Sequence, residues 1–303
     1  MLMYLACRLA LPLARRAPPP LAYPVLDRLG DLLWLANRPT RRTVEANLQH
    51  VIGGRGPRWR RAVREAFRHG ARNYYDTFRI GQLTAAEIAE LVPTTGWEHL
   101  DQALTAGRGA ILAGAHLSSV GLGGQSVAAQ GHLVHVPVEP IEPPELLRLL
   151  TRARSGLGVR LVPLGPGLTG ELLAALRRNE IIALMVDRDI SGSGVLVPFF
   201  GAPARLPAGP ATLALRSGAP VLPAFTIRRP DGRFEGVVEP PIPVVRSGKL
   251  RADVERTTRM IAARLEYYIG GHPEQWTMFQ PVWEISLKSK VQGRGSGDCE
   301  LWT

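Results

Sequence analysis

The stretch Gly-Ala-Ile-Leu-Ala-Gly-Ala-His, residues 109–116, decides how the chain folds. Its first seven residues are small or apolar, a pattern that predicts a short strand buried on both faces of a sheet. Similar runs recur further along the chain and are separated by helical patterns. The further predicted strands span residues 133–138, 160–164, 181–186, 221–227 and 234–238. Alternating strands and helices indicate an α/β protein with a largely parallel central sheet flanked by helices.

Between these strands the spacing of apolar residues predicts helices. The predicted helices span residues 119–130, 143–154, 169–178, 207–216 and 251–269. Upstream of the sheet, residues 41–81 are predicted to be helical and are rich in arginine. Trp59, Val63, Phe67 and Ala71 recur four residues apart and form one apolar stripe, which leaves the arginines on the remaining faces.

His116 comes directly after the first predicted strand. In open α/β sheets, ligands bind at the carboxyl ends of the strands. An imidazole at that edge is a candidate general base, because its unperturbed pKa lets it accept a proton near neutral pH. Position alone leaves open the alternative of a histidine with a purely structural role.

A catalytic histidine needs an acidic partner that fixes its tautomer, and the nearby sequence contains none. No Asp or Glu occurs between Asp101 and Glu139. The best candidate is Asp187, which follows the predicted strand 181–186. If the two strands are parallel neighbours, His116 and Asp187 emerge at the same edge of the sheet. The alternative is that Asp187 caps a loop or pairs with an adjacent arginine.

The chain is strongly basic, with a net charge of +11 over 303 residues. Such a field favours anionic partners, namely lipid headgroups, nucleic acid or a phosphorylated cofactor. No zinc-finger or aromatic RNA-binding signature accompanies the arginines, so we do not predict a nucleic-acid partner. His132 and His135 have an odd spacing that places them on opposite faces of a strand, so no metal site is predicted there.

Residues 1–40 are predicted to be an apolar, membrane-associating segment. Its apolar runs, 1–14 and 21–36, are interrupted by charges and are shorter than the roughly 20 residues of a spanning helix. Interfacial helices on the cytoplasmic face of a bacterial membrane fit better, with Arg15 and Arg16 at headgroup level. The alternative is that these residues only cover the core. Residues 41–284 are predicted to be the catalytic domain and 285–303 a flexible tail.

A competing motif lies in the middle of the chain. Gly165, Gly167 and Gly170 match the G-x-G-x-x-G pattern of dinucleotide-binding turns, between a predicted strand and a predicted helix. Against this interpretation, Pro166 stiffens the turn, and the unit is not at the first strand of a nucleotide-binding half. A dinucleotide enzyme therefore remains a less favoured alternative.

Five collinear blocks carry a resemblance to a known family. They are residues 113–117 (Ala-Gly-Ala-His-Leu), 186–189 (Val-Asp-Arg-Asp), 199–210, 218–224 and 272–276 (His-Pro-Glu-Gln-Trp). With these blocks the chain resembles the lipid A lauroyl/myristoyl acyltransferases, within the lysophospholipid acyltransferases. That group includes the mycobacterial phosphatidylinositol mannoside acyltransferases.

The resemblance implies acyl transfer from a thioester to a hydroxyl of a lipid or glycolipid. Acyl-CoA or acyl carrier protein would be a co-substrate, with no bound cofactor. The family signature is H-x4-D/E with the histidine as base, and Gly121 departs from it. In the mannoside acyltransferase branch, the carboxylate that begins an acid-Arg-Asp tripeptide is thought to lie beside the histidine, and Asp187 matches it.

The remaining site residues are assigned to substrate binding. They are Ser118, Ser119, Arg188, Asp189 and Arg205. The two arginines are expected to bind phosphate of the donor or of the acceptor lipid, with a structural ion pair as the alternative for each. Because residue 121 is not acidic, a second alternative is a catalytically impaired, lipid-binding paralogue of the same fold.

Overall fold

The computed structural model describes residues 2–139, 143–154, 157–190 and 192–283; the predicted tail from residue 285 lies outside them. In chain order, the helices are α1 (Leu2–Arg16), α2 (Pro19–Ala36), α3 (Arg38–Ile52), α4 (Pro57–Ile80), α5 (Ala85–Leu91), α6 (Trp97–Thr105), α7 (Val120–Ala129), α8 (Pro144–Arg154), α9 (Leu168–Arg177), α10 (Gly209–Ser217) and α11 (Leu250–Gly271).

The strands are β1 (Thr94–Thr95), β2 (Ala110–Gly114), β3 (Val134–Val138), β4 (Val159–Pro163), β5 (Ile181–Met185), β6 (Val195–Phe199), β7 (Ala202–Leu206), β8 (Val221–Arg228) and β9 (Phe234–Val238). Seven of them form one sheet in the order β1-β9-β8-β2-β5-β3-β4. Strands β8, β2, β5, β3 and β4 run parallel, whereas β9 is antiparallel to β8. The α/β prediction is confirmed, and the sheet is mixed but mostly parallel.

The six predicted strands are confirmed, with ends that shift by at most one residue. Strand β2 is buried along its whole length, as its apolar run predicts. The antiparallel hairpin β6–β7 was not predicted, because its residues alternate with prolines and carry no continuous apolar run. The short β1 and the helices α5 and α6 were not predicted either.

The arginine-rich segment 41–81 is mostly helical, as predicted, and is divided between α3 and α4. Helix α3 ends at Gly53, which adopts a left-handed conformation with φ of 76°. Helix α4 begins at Pro57, whose ring fixes a helical φ and whose missing N–H is not needed there. The predicted apolar stripe is confirmed: Trp59 and Phe67, for example, are buried in the main core.

Helix α2 packs against α4 through carboxylates that bind the arginines of α4. Asp31 accepts bidentate hydrogen bonds from Arg64 (2.7 and 2.6 Å) and from Arg68 (2.8 and 2.8 Å). Asp27 binds Arg72 in the same way, at 2.6 Å for each bond. These three arginines therefore stabilise the contact between the two helices, and their charges are compensated within the protein.

Candidate active site

The parallel register of β2 and β5 brings His116 and Asp187 together. Gly114 pairs with Met185 at the last step of this register, and the N–H of Val186 donates to the carbonyl of Gly114 at 2.8 Å. His116 and Asp187 each follow two residues beyond this last pair. Both side chains therefore leave the sheet at its carboxyl edge, where α/β proteins bind their ligands.

The carboxylate of Asp187 holds His116 at two points. Oδ1 lies 2.7 Å from Nδ1 of the imidazole, and Oδ2 accepts the backbone N–H of His116 at 2.8 Å. Asp187 is completely buried, whereas 40% of the His116 side chain is exposed. The carboxylate binds Nδ1 of the imidazole, so Nε2 is the ring nitrogen that can contact a reacting group.

Burial and hydrogen bonding act in opposite directions on Asp187. Burial raises the pKa of this carboxyl, but the charge of His116 and the hydrogen bonds from His116 and Trp276 outweigh burial and lower it overall. Asp187 is therefore an anion at neutral pH and accepts the hydrogen from Nδ1 of His116. This selects the tautomer in which Nε2 carries the lone pair.

Residues 275–277 run alongside the loop that contains His116 and form hydrogen bonds with His116 and with Asp187. The indole N–H of Trp276 donates to Asp187 Oδ2 at 2.8 Å. The backbone N–H and the hydroxyl of Thr277 both donate to the carbonyl of His116, at 2.9 and 3.1 Å. No role for Trp276 or Thr277 was predicted, although the block at residues 272–276 drew attention to this part of the chain.

Ser118 and Ser119 have buried hydroxyl groups that find no partner among the described residues. Ser118 has a left-handed backbone, with φ of 54°, and turns the chain from β2 into α7. In the described part of the chain, the N–H groups of Ser119, Val120 and Gly121 also lack a hydrogen-bond acceptor. Hydroxyl and amide donors thus collect at the start of α7, beside His116 in the chain.

Gly121, at the position where the family signature has an acid, lies against the end of α4. A Cβ atom at residue 121 would lie 2.8 Å from Cδ1 of Ile80, so a larger side chain requires Ile80 to move. Ile80 is buried in a small cluster that also contains Leu122 and Phe234. Because Asp187 contacts the imidazole, Gly121 does not leave His116 without a carboxylate.

The other residues assigned to substrate binding have partners within the protein. Arg188 forms an ion pair with Glu139, which follows β3 at the same edge of the sheet. Asp189 accepts the N–H of Gly194 at 2.6 Å, and Arg205 donates to the carbonyl of Gly194 at 3.2 Å. Asp189 and Arg205 therefore meet at the loop before the β6–β7 hairpin, whereas Arg188 lies next to Asp187 in the chain.

A buried ionic cluster lies where α2, α4 and β8 meet. Arg228 forms an ion pair with Asp76, and its Nη1 donates to the hydroxyl of Tyr23 at 2.8 Å. The Tyr23 hydroxyl in turn donates to Asp76 at 3.0 Å. Burial raises the pKa of Asp76 despite the opposing charge of Arg228. Burying such a pair requires complete hydrogen bonding, which this cluster provides for the carboxylate.

The rival glycine motif does not adjoin the strands that carry His116 and Asp187. Gly165, Gly167 and Gly170 lie between β4, an edge strand two places from β5, and the first turn of α9. Within the described ranges, no cluster of three or more potential metal ligands occurs. None of the described helices is both long and apolar enough to cross a bilayer.

A histidine held by a buried carboxylate at the carboxyl edge of a mostly parallel α/β sheet is an arrangement that can support proton transfer to and from a bound substrate. The profile of the bacterial lipid A biosynthesis acyltransferases matches residues 3–284. The chain belongs to that family and is an acyltransferase.

Two curated relatives are similar to this chain over most of its length. A phosphatidylinositol mannoside acyltransferase of Mycobacterium tuberculosis (strain CDC 1551 / Oshkosh) is 33% identical over 221 residues, 71% of this chain and 68% of the relative. The enzyme of the same name from Mycolicibacterium smegmatis is 33% identical over 235 residues, 77% of this chain and 75% of the relative.

Proposed function

We propose that this enzyme transfers a fatty acyl chain from a thioester to a hydroxyl of a phosphoglycolipid, with His116 as the general base. The observation that carries the proposal is the 2.7 Å contact between His116 Nδ1 and Asp187 Oδ1. It gives the imidazole the tautomer and the orientation that a base needs. The thioester is an acyl-CoA or an acyl carrier protein.

In the proposed reaction, Nε2 of His116 takes the proton of the acceptor hydroxyl as its oxygen attacks the thioester carbonyl. Asp187 stabilises the imidazolium that forms. The tetrahedral intermediate then expels the thiolate, and the proton on Nε2 passes to the leaving sulfur. An ester bond replaces the thioester bond, and His116 returns to its neutral form.

The negative oxygen of the tetrahedral intermediate needs hydrogen-bond donors. The N–H groups of Ser119, Val120 and Gly121 have no acceptor among the described residues and lie at the start of a helix, where the dipole favours an anion. The buried hydroxyls of Ser118 and Ser119 are further donors in the same loop. We assign oxyanion stabilisation to this group of donors.

The relatives support a phosphoglycolipid acceptor. The curated proteins that match over about two thirds or more of their length are phosphatidylinositol mannoside acyltransferases. The net charge of +11 suits an acceptor that carries phosphate and that lies in an anionic membrane. Arg188 is next to Asp187 in the chain and is the candidate for the acceptor phosphate, which would have to displace or share its ion pair with Glu139.

Helix α2 supports association with a membrane surface, which we place at the cytoplasmic face. Large apolar side chains are exposed along one side of it: Leu21 (70%), Val25 (68%), Leu29 (46%), Leu32 (62%) and Leu35 (56%). The opposite side binds α4 through Asp27 and Asp31. A helix with such an apolar side and basic neighbours inserts that side into the interface of a bilayer. We propose that α2 lies in the membrane surface.

The proposed function is tested by incubating the purified enzyme with a labelled long-chain acyl-CoA, or with the corresponding acyl carrier protein, and candidate acceptors. The acceptors are a phosphatidylinositol mannoside, a lipid A precursor and a lysophospholipid. We expect a mass increase of one acyl group on the mannoside with either donor. Acylation of another acceptor alone would overturn the choice of substrate, and hydrolysis without transfer would overturn the reaction.

A further inference from the structure

Both backbone groups of Ser118 form hydrogen bonds with neighbouring segments of the chain. Its N–H donates to the carbonyl of Gln275 at 2.9 Å, and its carbonyl accepts the side-chain Nδ2 of Asn73 at 2.8 Å. Between these two bonds the residue has a φ of 54°, which an L-amino acid without a local side-chain bond rarely adopts. Contacts on both sides maintain a backbone conformation that is unfavourable in isolation.

The partners of Ser118 are themselves fixed by Arg228. The side chain of Gln275 forms two hydrogen bonds with the backbone of Arg228, at 2.8 and 2.9 Å. Nη2 of Arg228 lies 3.5 Å from Oδ1 of Asn73, so the amide presents Nδ2 to Ser118. The same nitrogen, Nη2, forms the ion pair with Asp76. The two residues that bind Ser118 are thus held in place by the buried ionic cluster.

We propose that Asn73 is a positioning residue for acyl transfer, an inference that rests on the proposed function. By holding Ser118 in the left-handed conformation, Asn73 places the start of α7 and its free N–H groups relative to His116. Asn73 lies on α4 and makes no side-chain hydrogen bond to His116 or Asp187 among the described residues. Its Nδ2 donates to the Ser118 carbonyl at 2.8 Å and, at 3.4 Å, to the Thr277 hydroxyl, which donates to the His116 carbonyl. Its role is therefore indirect, through the backbone of the loop that contains His116 and Ser118.

The test is a double-mutant cycle between Asn73 and Ser118. Asn73→Ala removes the donor to the Ser118 carbonyl, and Asn73→Asp does so at constant size if the alanine variant folds poorly. Loss of the hydrogen bond from Asn73 to the Ser118 carbonyl displaces the oxyanion donors. The kcat should therefore fall by about 10- to 100-fold while KM changes little. Ser118→Gly is the second arm, because glycine adopts a positive φ without strain. It also removes the Ser118 hydroxyl assigned to the oxyanion donors, so the kcat of Ser118→Gly itself is the reference for the double variant.

In the Ser118→Gly background, Asn73→Ala should lower kcat by less than about threefold, because the conformation no longer has to be imposed. The control is Asn179→Ala. Asn179 also bonds two backbone groups, of Gly109 and Leu104, but at the amino edge of the sheet. It should lower the melting temperature and leave the kcat of the folded enzyme unchanged.

Multiplicative effects of the two substitutions, or an unchanged kcat in Asn73→Ala, would overturn the role of Asn73 while leaving the proposed function intact. A wild-type enzyme without any acyl transfer would overturn the proposed function and, with it, the positioning role of Asn73 in catalysis. Melting temperatures of the four proteins then still decide whether Asn73 stabilises the left-handed Ser118.

Discussion

The buried carboxylate of Asp187 contacts His116 twice, 2.7 Å from the imidazole Nδ1 and 2.8 Å from the backbone nitrogen. The residues are 71 positions apart in the chain. Their contact depends on the parallel pairing of β2 with β5. One carboxylate therefore fixes both the ring and the backbone of the proposed base, as a catalytic dyad requires.

Asp187→Asn should abolish most of the activity. The amide cannot accept from Nδ1, from the His116 backbone and from Trp276 without placing its NH2 group against a donor. We expect kcat to fall by on the order of 10³-fold, within the range of general-base contributions. The measurement is the initial rate of acyl transfer for the folded variant.

Asp253→Asn is the matched control for this substitution. Asp253 is also a buried carboxylate, bound by the backbone and hydroxyl of Ser247 and by Arg256 at the start of α11. The Asp253→Asn variant should be less stable than the wild type and should keep the same turnover number. If both variants lose the same fraction of activity, the effect of Asp187→Asn is structural rather than catalytic.

Trp276→Phe should lower the rate without unfolding the protein. It removes the donor to Asp187 Oδ2 while keeping an aromatic ring in the core. Loss of one hydrogen bond to a charged group is worth about 1.5–3 kcal/mol, so we expect kcat/KM to fall by about 10- to 150-fold. Trp283→Phe is the control, because the Trp283 indole donates to the carbonyl of Phe199 in the same aromatic cluster. Equal losses in both variants would contradict a specific role for Trp276.

The Asp31 cluster predicts a pH dependence of stability. Hydrogen bonds from Arg64 and Arg68 lower the pKa of Asp31 in the folded protein below its ordinary value. The unfolded chain therefore binds the proton first as the pH falls, and stability is lost below about pH 4. At pH 7 we expect Asp31→Asn to cost about 1–2 kcal/mol.

Urea unfolding of wild type and Asp31→Asn at pH 7, 5 and 3 measures this difference. It should be large and constant at pH 7 and 5 and should shrink at pH 3. A difference that grows on acidification has the wrong sign and would contradict the assignment.

The apolar side of α2 predicts membrane binding. Replacing Leu21, Val25 and Leu32 with Gln removes much of its exposed apolar surface. We expect the triple variant to lose at least about tenfold in affinity for phosphatidylglycerol vesicles in a sedimentation assay. The control replaces Leu133, Leu157 and Leu250, which are exposed elsewhere, with Gln. Equal binding by wild type and the α2 variant would exclude α2 as the docking surface.

Much of this site follows from local sequence patterns. The apolar run before His116 and the run before Asp187 predict two strands, and the lack of nearby carboxylates makes Asp187 the candidate partner. What the sequence does not contain is the order of strands in the sheet. The contact between His116 and Asp187 was conditional on β2 and β5 being neighbours, which only tertiary packing decides.

Contacts between distant residues explain what was not predicted. Trp276 resembles any buried aromatic residue until its indole N–H meets Asp187, 89 positions away. The sequence placed the arginines of α4 on the faces beside the apolar stripe but did not indicate their partners, and Arg64, Arg68 and Arg72 bind carboxylates of α2. The apolar stripe of α4 predicted which side is buried but not that acidic residues lie opposite these arginines.

The central claim is that His116 is the base for acyl transfer, and the most direct test is the turnover number of His116→Ala. The measurement is the initial rate of transfer from a labelled long-chain acyl-CoA or acyl carrier protein to a phosphatidylinositol mannoside, with folding checked by circular dichroism. We predict a loss of at least about 10²-fold in a folded variant. Turnover close to that of the wild type would contradict the account.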